Sequence, residues 1–288
     1  MTLTEPAAGD AMIGADVDLQ REFAFSRADF GRIQRMISAY AGISLHEHKG
    51  NMVYNRLARR VRATGAHRFR DYLDEVERPG SEERERFVNA LTTNLTGFFR
   101  EPHHFDRLAR LDRGRAGRAL RVWSSACSTG EEAYSAAIAL RDAGTTAEIL
   151  ATDVDSDALA KAQRGVYRLD ALDRVGSERM RRHFLRGAGE NAGYAMVRPE
   201  LRAMVRFAVR NLLAEDWPQN EVFDAVFCRN VMIYFDRQTQ LRLLDRLAKV
   251  LAPGGVLFLG HSENCAAGHA AFVACGKTSY ERRHVNPA

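Results

Sequence analysis

The sequence predicts a small all-helical domain followed by an α/β domain with a mainly parallel sheet. Three observations predict it. Between Ser26 and Leu91 the apolar residues recur at helical spacing and no strand pattern appears. From Leu120 onward, short β-prone runs alternate with helical ones, which is how a parallel sheet covered by helices reads. At the head of that second half stands Arg121–Ser135, RVWSSACSTGEEAYS. Its apolar lead enters a loop of small residues and then an Ala-rich helix, the opening of a nucleotide-binding βαβ unit.

Composition sets the frame. The chain has 288 residues, 45% hydrophobic and 27% charged, which is ordinary for a globular protein of about two domains. No run approaches the ~18 apolar residues of a membrane span. The first residues carry acids and lack a basic-then-apolar signal pattern, so a cytoplasmic protein without membrane insertion is expected. The four cysteines, Cys127, Cys228, Cys265 and Cys275, have no CxxC spacing and read as free thiols. No metal site is expected. The net charge of +5 asks for an acidic partner.

Residues 1–20 are small, acidic and aperiodic and read as disordered. The helical domain covers residues 21–91. Ser26 suits an N-cap for a helix with Phe30, Ile33, Ile37 and Tyr40 on one face, and Gly42 ends it. A second helix is predicted over 46–64 with Val53, Leu57 and Val61 inward, closed by Gly65. A third covers 70–77 and ends at Pro79-Gly80; a fourth covers 81–91. The second helix is Arg-rich. With its apolar stripe inward, Arg56, Arg59, Arg60 and Arg62 fall on open faces, as a solvated surface or as a dock for an acidic partner.

Residues 92–110 are a linker with unusual content. Thr92–Pro102, TTNLTGFFREP, would expose Phe98 and Phe99 if it were bland, so it is expected to pack on the second domain, where Asn94, Thr96 and Arg100 reach a ligand. The α/β domain covers 111–288. Strands are predicted over 120–125, 147–152, 205–213, 222–229, 256–260 and 278–282, and helices over 131–143, 157–164 and 237–251, with Pro253-Gly254-Gly255 as the last stop. Between Arg164 and Val205 about forty residues stand where a short connection suffices. They read as an inserted antiparallel subdomain over about 165–204, built from a helical piece at 177–185, a glycine-rich turn and an extended piece at 194–197.

The loop chemistry narrows the ligand. Only Gly130 is a glycine, so neither G-x-G-x-x-G nor G-x-x-x-x-G-K-[ST] is present and a phosphate has no backbone cradle. Glu131 and Glu132 would repel phosphate. They suit a ligand with positive charge and no phosphate, which S-adenosylmethionine is. Glu131 then meets the cationic amino-acid end and Asp153, closing the second strand, meets the ribose hydroxyls. Glu131 also suits the positive end of its helix, and Asp153 a turn. The fourth strand ends in Cys228-Arg229-Asn230-Val231-Met232, without the prolines of base-amine methyltransferases, so a nucleic-acid substrate is disfavoured.

These stretches, with MVYNRLARRVRATG, LTTNLTGFFRE followed by HHF, ATDVDSDAL, FDAVFCRNVMIYFD and LAPGGVLFLGHSEN, resemble the chemotaxis receptor glutamate methyltransferases of the CheR type, in the family's order over about residues 25–280. Ala133 stands where the family commonly has proline, and the tail after Asn264 is weakly similar. The resemblance implies a class I S-adenosylmethionine-dependent, Rossmann-like methyltransferase domain with the small inserted antiparallel β-subdomain. It implies transfer of methyl to receptor glutamates with S-adenosyl-L-homocysteine as product. It further implies cofactor contacts from Asn94, Thr96, Arg100, Glu131, Asp153, Asn211, Leu212, Arg229 and Asn230, and places Arg100 and Tyr234 at the reacting centre. The Arg-rich helix would dock the cytoplasmic domain of a methyl-accepting receptor, and the inserted subdomain a receptor's C-terminal tether peptide. A monomer is expected. His46, His48, His103 and His104 read as packing or surface residues, because an ionised glutamate needs no general base. A cofactor-binding scaffold without transfer and a nucleic-acid methyltransferase are the alternative readings.

Overall fold

The structure, a computed structural model, describes residues 21–111, 118–215, 217 and 221–283. The expected disordered segment 1–20 lies outside the described residues. The chain divides into two units, residues 1–92 and 93–288.

The first unit is all-helical among its described residues: α1 (Arg27–Ala41), α2 (Gly50–Ala63), α3 (Phe69–Glu77) and α4 (Glu83–Leu91). Ser26 and Asp29 form a reciprocal capping box at the start of α1, and Gly42 closes it in the left-handed conformation. A short 3-10 turn, Glu47–Lys49, occupies the stretch expected to begin the second helix. Phe25, Ile33, Leu57, Phe69, Tyr72 and Phe87 are fully buried, with the Phe25 and Phe69 rings 4.7 Å apart.

Two of the four arginines expected on open faces are not there. Arg56 Nη1 donates to the carbonyls of Leu91 and Thr92, satisfying the end of α4. Arg60 is paired with Glu83 at the start of the same helix. The helix presents more than one side to its neighbours, so Arg side chains flanking the apolar stripe are drawn onto α4 rather than into solvent. Arg62 is exposed and paired with Glu22. Arg59 is exposed without a partner among the described residues.

The second unit takes in the linker. Phe98 is fully buried against Tyr167 and Phe184, at ring distances of 4.9 and 5.7 Å, and the Phe99 amide donates to Ser135 Oγ at 2.9 Å. A short helix, α5 (His103–Leu108), follows; its six residues are too few to show a period in the sequence. Then come β1 (Leu120–Ser124), α6 (Glu131–Asp142), β2 (Ala147–Asp153) and α7 (Ser156–Arg164). The insertion contains β3 (Val166–Arg168), α8 (Ser177–His183), β4 (Phe184–Arg186) and β5 (Tyr194–Val197), whose strands pair antiparallel in the order β3-β5-β4. The chain ends through α9 (Pro199–Arg202), β6 (Val205–Val209), β7 (Phe223–Cys228), α10 (Arg237–Val250), β8 (Leu251–Leu259), β9 (Phe272–Gly276) and β10 (Ser279–Arg282).

The main sheet runs β6-β2-β1-β7-β8-β10-β9; its first five strands are parallel and the last two antiparallel. Strand alternation splits the core. Val122, Ala225, Phe227, Val256 and Phe258 face one apolar layer, while Trp123, Val226, Leu257 and Leu259 face the other. This is the class I methyltransferase architecture of the sequence reading, with the inserted antiparallel sheet in place. The differences are local. β6 stops at Val209 because Asn211 Oδ1 takes the Leu213 amide at 2.8 Å and turns the chain. β8 starts four residues before Gly255, with an irregular register opposite Phe223–Ala225, so Pro253-Gly254-Gly255 bends the strand instead of preceding it. The four cysteines are free thiols, three of them buried.

Phe98 is the anchor of the segment that carries Asn94, Thr96 and Arg100. Phe98→Ala is expected to cost about 3–5 kcal/mol, read as a lowered denaturation midpoint, and to weaken cofactor binding in the fraction that stays folded.

Candidate active site

The candidate site lies at the carboxyl ends of the parallel strands, where β1, β2, β6 and β7 each pass into a loop. In the β1 loop the chain must turn sharply with one glycine. Ser128 and Gly130 both take positive φ, 49° and 95°. A Cβ at Gly130 would lie 2.8 Å from Ala162 Cβ and 2.9 Å from the Tyr167 hydroxyl, so only glycine fits. The Cys127 amide donates to the Thr152 carbonyl at 2.9 Å, and the Tyr167 hydroxyl donates to the Thr129 carbonyl at 2.7 Å. The loop is thus held by β2 on one side and by the inserted sheet on the other.

Asp153 ends β2 and organises what surrounds it. One carboxylate oxygen accepts the Ser128 amide at 2.7 Å, the other the Asp155 amide at 3.0 Å. Burial pushes its pKa up, against the pull of these amides. Asn94 bridges the same loops: its amide nitrogen donates to Asp155 Oδ2 at 2.7 Å and its oxygen accepts from Ser128 Oγ at 2.9 Å. Asp155 in turn caps α7 through the Ala158 amide. The Arg210 amide donates to the Asp153 carbonyl at 2.8 Å, which brings neighbouring Asn211 and Leu212 to the same end of the sheet. Glu131 opens α6, 8% exposed, accepting from Thr129 Oγ1 at 2.7 Å. Burial raises its pKa too.

Arg229 stands in the site with its side chain already engaged by the protein. Its guanidinium is buried, donates to Glu132 Oε2 at 2.9 Å and to the Arg100 carbonyl, and lies 3.6 Å from Glu101 Oε2. These protein groups engage the side chain. Glu132, which also accepts from Ser124 Oγ at 2.7 Å, is the inner member of the acid pair and serves Arg229.

Beyond Arg229, Asn230 adopts φ 57°. Glu263, after β8, holds it there. The Glu263 carboxylate accepts the amides of Asn230 and Met232 at 2.8 Å and of Gly260 at 2.6 Å. A side chain at Gly260 would stand 2.3 Å from Asn230 Nδ2. Glu263 is the functional residue that sequence reasoning missed, although the signal was present: an acid in GHSEN, just past a buried strand. Tyr234 sits in the 3-10 turn Met232–Tyr234 on the way out of β7, half-buried on the second apolar layer.

Thr96 and Arg100 stand slightly apart. With Leu95, Asp170, Asp173 and Arg174 they line a cleft of about 420 Å³ between the linker and the inserted subdomain. Arg100 Nη1 donates to the Leu95 carbonyl at 2.8 Å, which folds the segment back on itself. Asn94, two residues away from Thr96, joins this cleft to the Ser128–Asp153 loops.

Comparison with known proteins gives this geometry a family. Residues 94–280 match the CheR methyltransferase SAM binding domain, and residues 28–92 match the CheR methyltransferase all-alpha domain. A chemotaxis protein methyltransferase of Klebsiella aerogenes is 49% identical over 267 residues, covering 91% of this chain and 92% of its own. Those of Escherichia coli and Salmonella typhimurium are 46% and 47% identical over 269 residues, each covering 92% of this chain and 94% and 93% of their own. One family domain coincides with each structural unit, and the relatives run through both. The chain therefore belongs to the CheR family of S-adenosylmethionine-dependent methyltransferases.

Proposed function

We propose that the chain transfers the methyl group of S-adenosylmethionine to glutamate side chains in the cytoplasmic domain of chemoreceptors, working as a cytoplasmic monomer. The observation that carries the reading is the acidic, glycine-poor loop closed on Asp153 beside a cleft walled by Arg100. The residues present fit the cofactor. Each Asp153 oxygen accepts one amide and keeps a lone pair for a ribose hydroxyl. Glu131 offers a carboxylate with one oxygen uncommitted to a charged partner, suited to an ammonium group. Asn94, Asn211 and Leu212 complete the rim, and Asn230 presents a main chain fixed by Glu263.

S-adenosylmethionine supplies a methyl group already activated by its sulfonium. The chain's own residues then have to align and to exclude water. The glutamate nucleophile has a reference pKa near ~4.3 and is ionised at neutral pH. No proton has to be moved, and the buried histidines of this unit, His104 and His183, need not be bases. Arg100 orients the incoming carboxylate in its cleft and offsets its charge as water leaves. Tyr234 closes the methyl side against the second apolar layer. The product ester is neutral, so each turnover removes one negative charge from a receptor helix.

Arg59, exposed and unpartnered among the described residues, with Arg62 alongside, forms the receptor-facing part of the first unit. The exposed edges of the β3-β5-β4 sheet offer unpaired strand groups to a receptor's C-terminal tether peptide.

Three outcomes are expected. Cofactor affinity, measured calorimetrically, falls as pH is lowered through the raised carboxyl range of Glu131, because the ionised acid is the form that meets a cation. The fall begins above the unshifted value of 4.5, and Glu131→Gln flattens it while lowering affinity at neutral pH. Arg100→Ala lowers turnover on receptor-bearing membranes about 100-fold, more than it lowers cofactor affinity; full turnover with normal cofactor binding would remove Arg100 from the reacting centre. Arg59→Glu raises the KM for receptor and reduces its dependence on salt, at unchanged cofactor affinity; an unchanged KM would move docking elsewhere.

A further inference from the structure

At the start of α5, on the far side of the linker from the cleft, three ligand-type side chains converge. Glu101, His103 and His104 each turn one ligating atom toward the others, all within 4.8 Å of one another. Glu101 Oε2, His103 Nε2 and His104 Nδ1 are each buried with no hydrogen-bond partner, Glu101 Oε2 having only Arg229 Nη2 at 3.6 Å. His104 is fully buried and the Glu101 side chain is 12% exposed. Three buried polar atoms left unsatisfied at one point are costly, at roughly 1–3 kcal/mol apiece, unless something sits between them.

We propose that Glu101, His103 and His104 form a binding site for one divalent transition-metal ion, Zn²⁺ by choice. The donor set, two imidazoles and a carboxylate, is the one that borderline metals take. Glu101 Oε2 and His104 Nδ1 are 3.7 Å apart. Two ligands each ~2.0–2.1 Å from a shared ion stand roughly 3–4 Å apart, so the pair needs only a small adjustment.

The other ring nitrogen of His104 supports the assignment. Nε2 lies 2.9 Å from Thr278 Oγ1. The tautomer that donates this hydrogen bond leaves Nδ1 with a bare lone pair pointing at Glu101, which is how an outer hydrogen bond prepares a histidine for a metal. Glu101 is steadied as well, since Oε1 accepts the His261 amide at 3.2 Å.

The number of converging ligand atoms argues for an ion over a water molecule. One guanidinium, Arg229, faces two buried carboxylates, Glu132 at 2.9 Å and Glu101 at 3.6 Å. The closer acid matches Arg229. Glu101 shares Arg229 at the longer distance, and the His261 ring lies 3.5 Å from its other oxygen. A single water has two protons to donate, whereas one cation can take the lone pairs of all three ligands. An ion here would pin Glu101, and with it the segment that ends in Arg100, to the body of the sheet.

The test uses the full, tag-free chain carrying His48→Ala, which removes the stacked His46–His48 pair of the first unit as a rival ligand set. After chelator treatment, Zn²⁺ is titrated by calorimetry and Co²⁺ by visible absorption. One equivalent should bind, with Co²⁺ bands of low coordination number. His103→Ala, a half-buried position that folds without strain, and Glu101→Gln, which keeps the shape, should each weaken binding at least tenfold. Absence of binding to the otherwise intact protein, or affinity in either variant equal to that of the protein without the Glu101 or His103 substitution, would overturn the proposal.

Discussion

One buried ion pair underlies the whole catalytic end of the second unit. Arg229 at the end of β7 meets Glu132 in the first turn of α6, 2.9 Å away and almost without water. Taking two charges out of solvent is expensive, and a buried pair is retained where geometry and further hydrogen bonds offset the cost. Here Ser124 bonds Glu132, and the Arg100 carbonyl bonds Arg229. One contact therefore ties together β1, α6, β7 and the linker. The linker returns the favour by carrying Asn94 and Arg100 to the strand ends.

Around that pair, carboxylates do the work that glycines do in phosphate-binding loops. Asp153 gathers two amides, Glu263 three, and Asp155 caps a helix. A carboxylate accepts several N–H groups at once and so fixes a loop of ordinary residues in tight, partly left-handed conformations. Ser128 and Asn230 both hold positive φ under this constraint. The same acids give the pocket a negative field, suited to a cationic cofactor and adverse to a phosphate.

Much of this was legible in the sequence because it obeys short-range rules. The period-two strands, the helical stripe of the first unit and the excess length between Arg164 and Val205 follow from patterning alone, and the ligand class followed from a loop with one glycine and two acids. What escaped depends on distance in the chain. Glu132 reads as a twin of Glu131, yet one is spent on Arg229, 97 residues away, and the other is left for a ligand. Arg56 and Arg60 look solvated until α4 is placed against α2. Glu263 reads as a polar residue after a strand, and its three amides come together only when β7 and β8 lie side by side. β9 is a five-residue edge strand that buries Phe272 but leaves Val273 and Ala274 both exposed, so it shows no period-two alternation to read.

The Tyr167 hydroxyl bears on modularity. It belongs to the inserted sheet, yet it holds the Thr129 carbonyl and stands where a Gly130 side chain would have to go. Phe98 from the linker packs on the same ring. An insertion between two strands is usually thought of as a removable part. This one is keyed into the scaffold at its cofactor loop, so excising it, or grafting it onto another methyltransferase, would require moving the tyrosine, the glycine and the phenylalanine together.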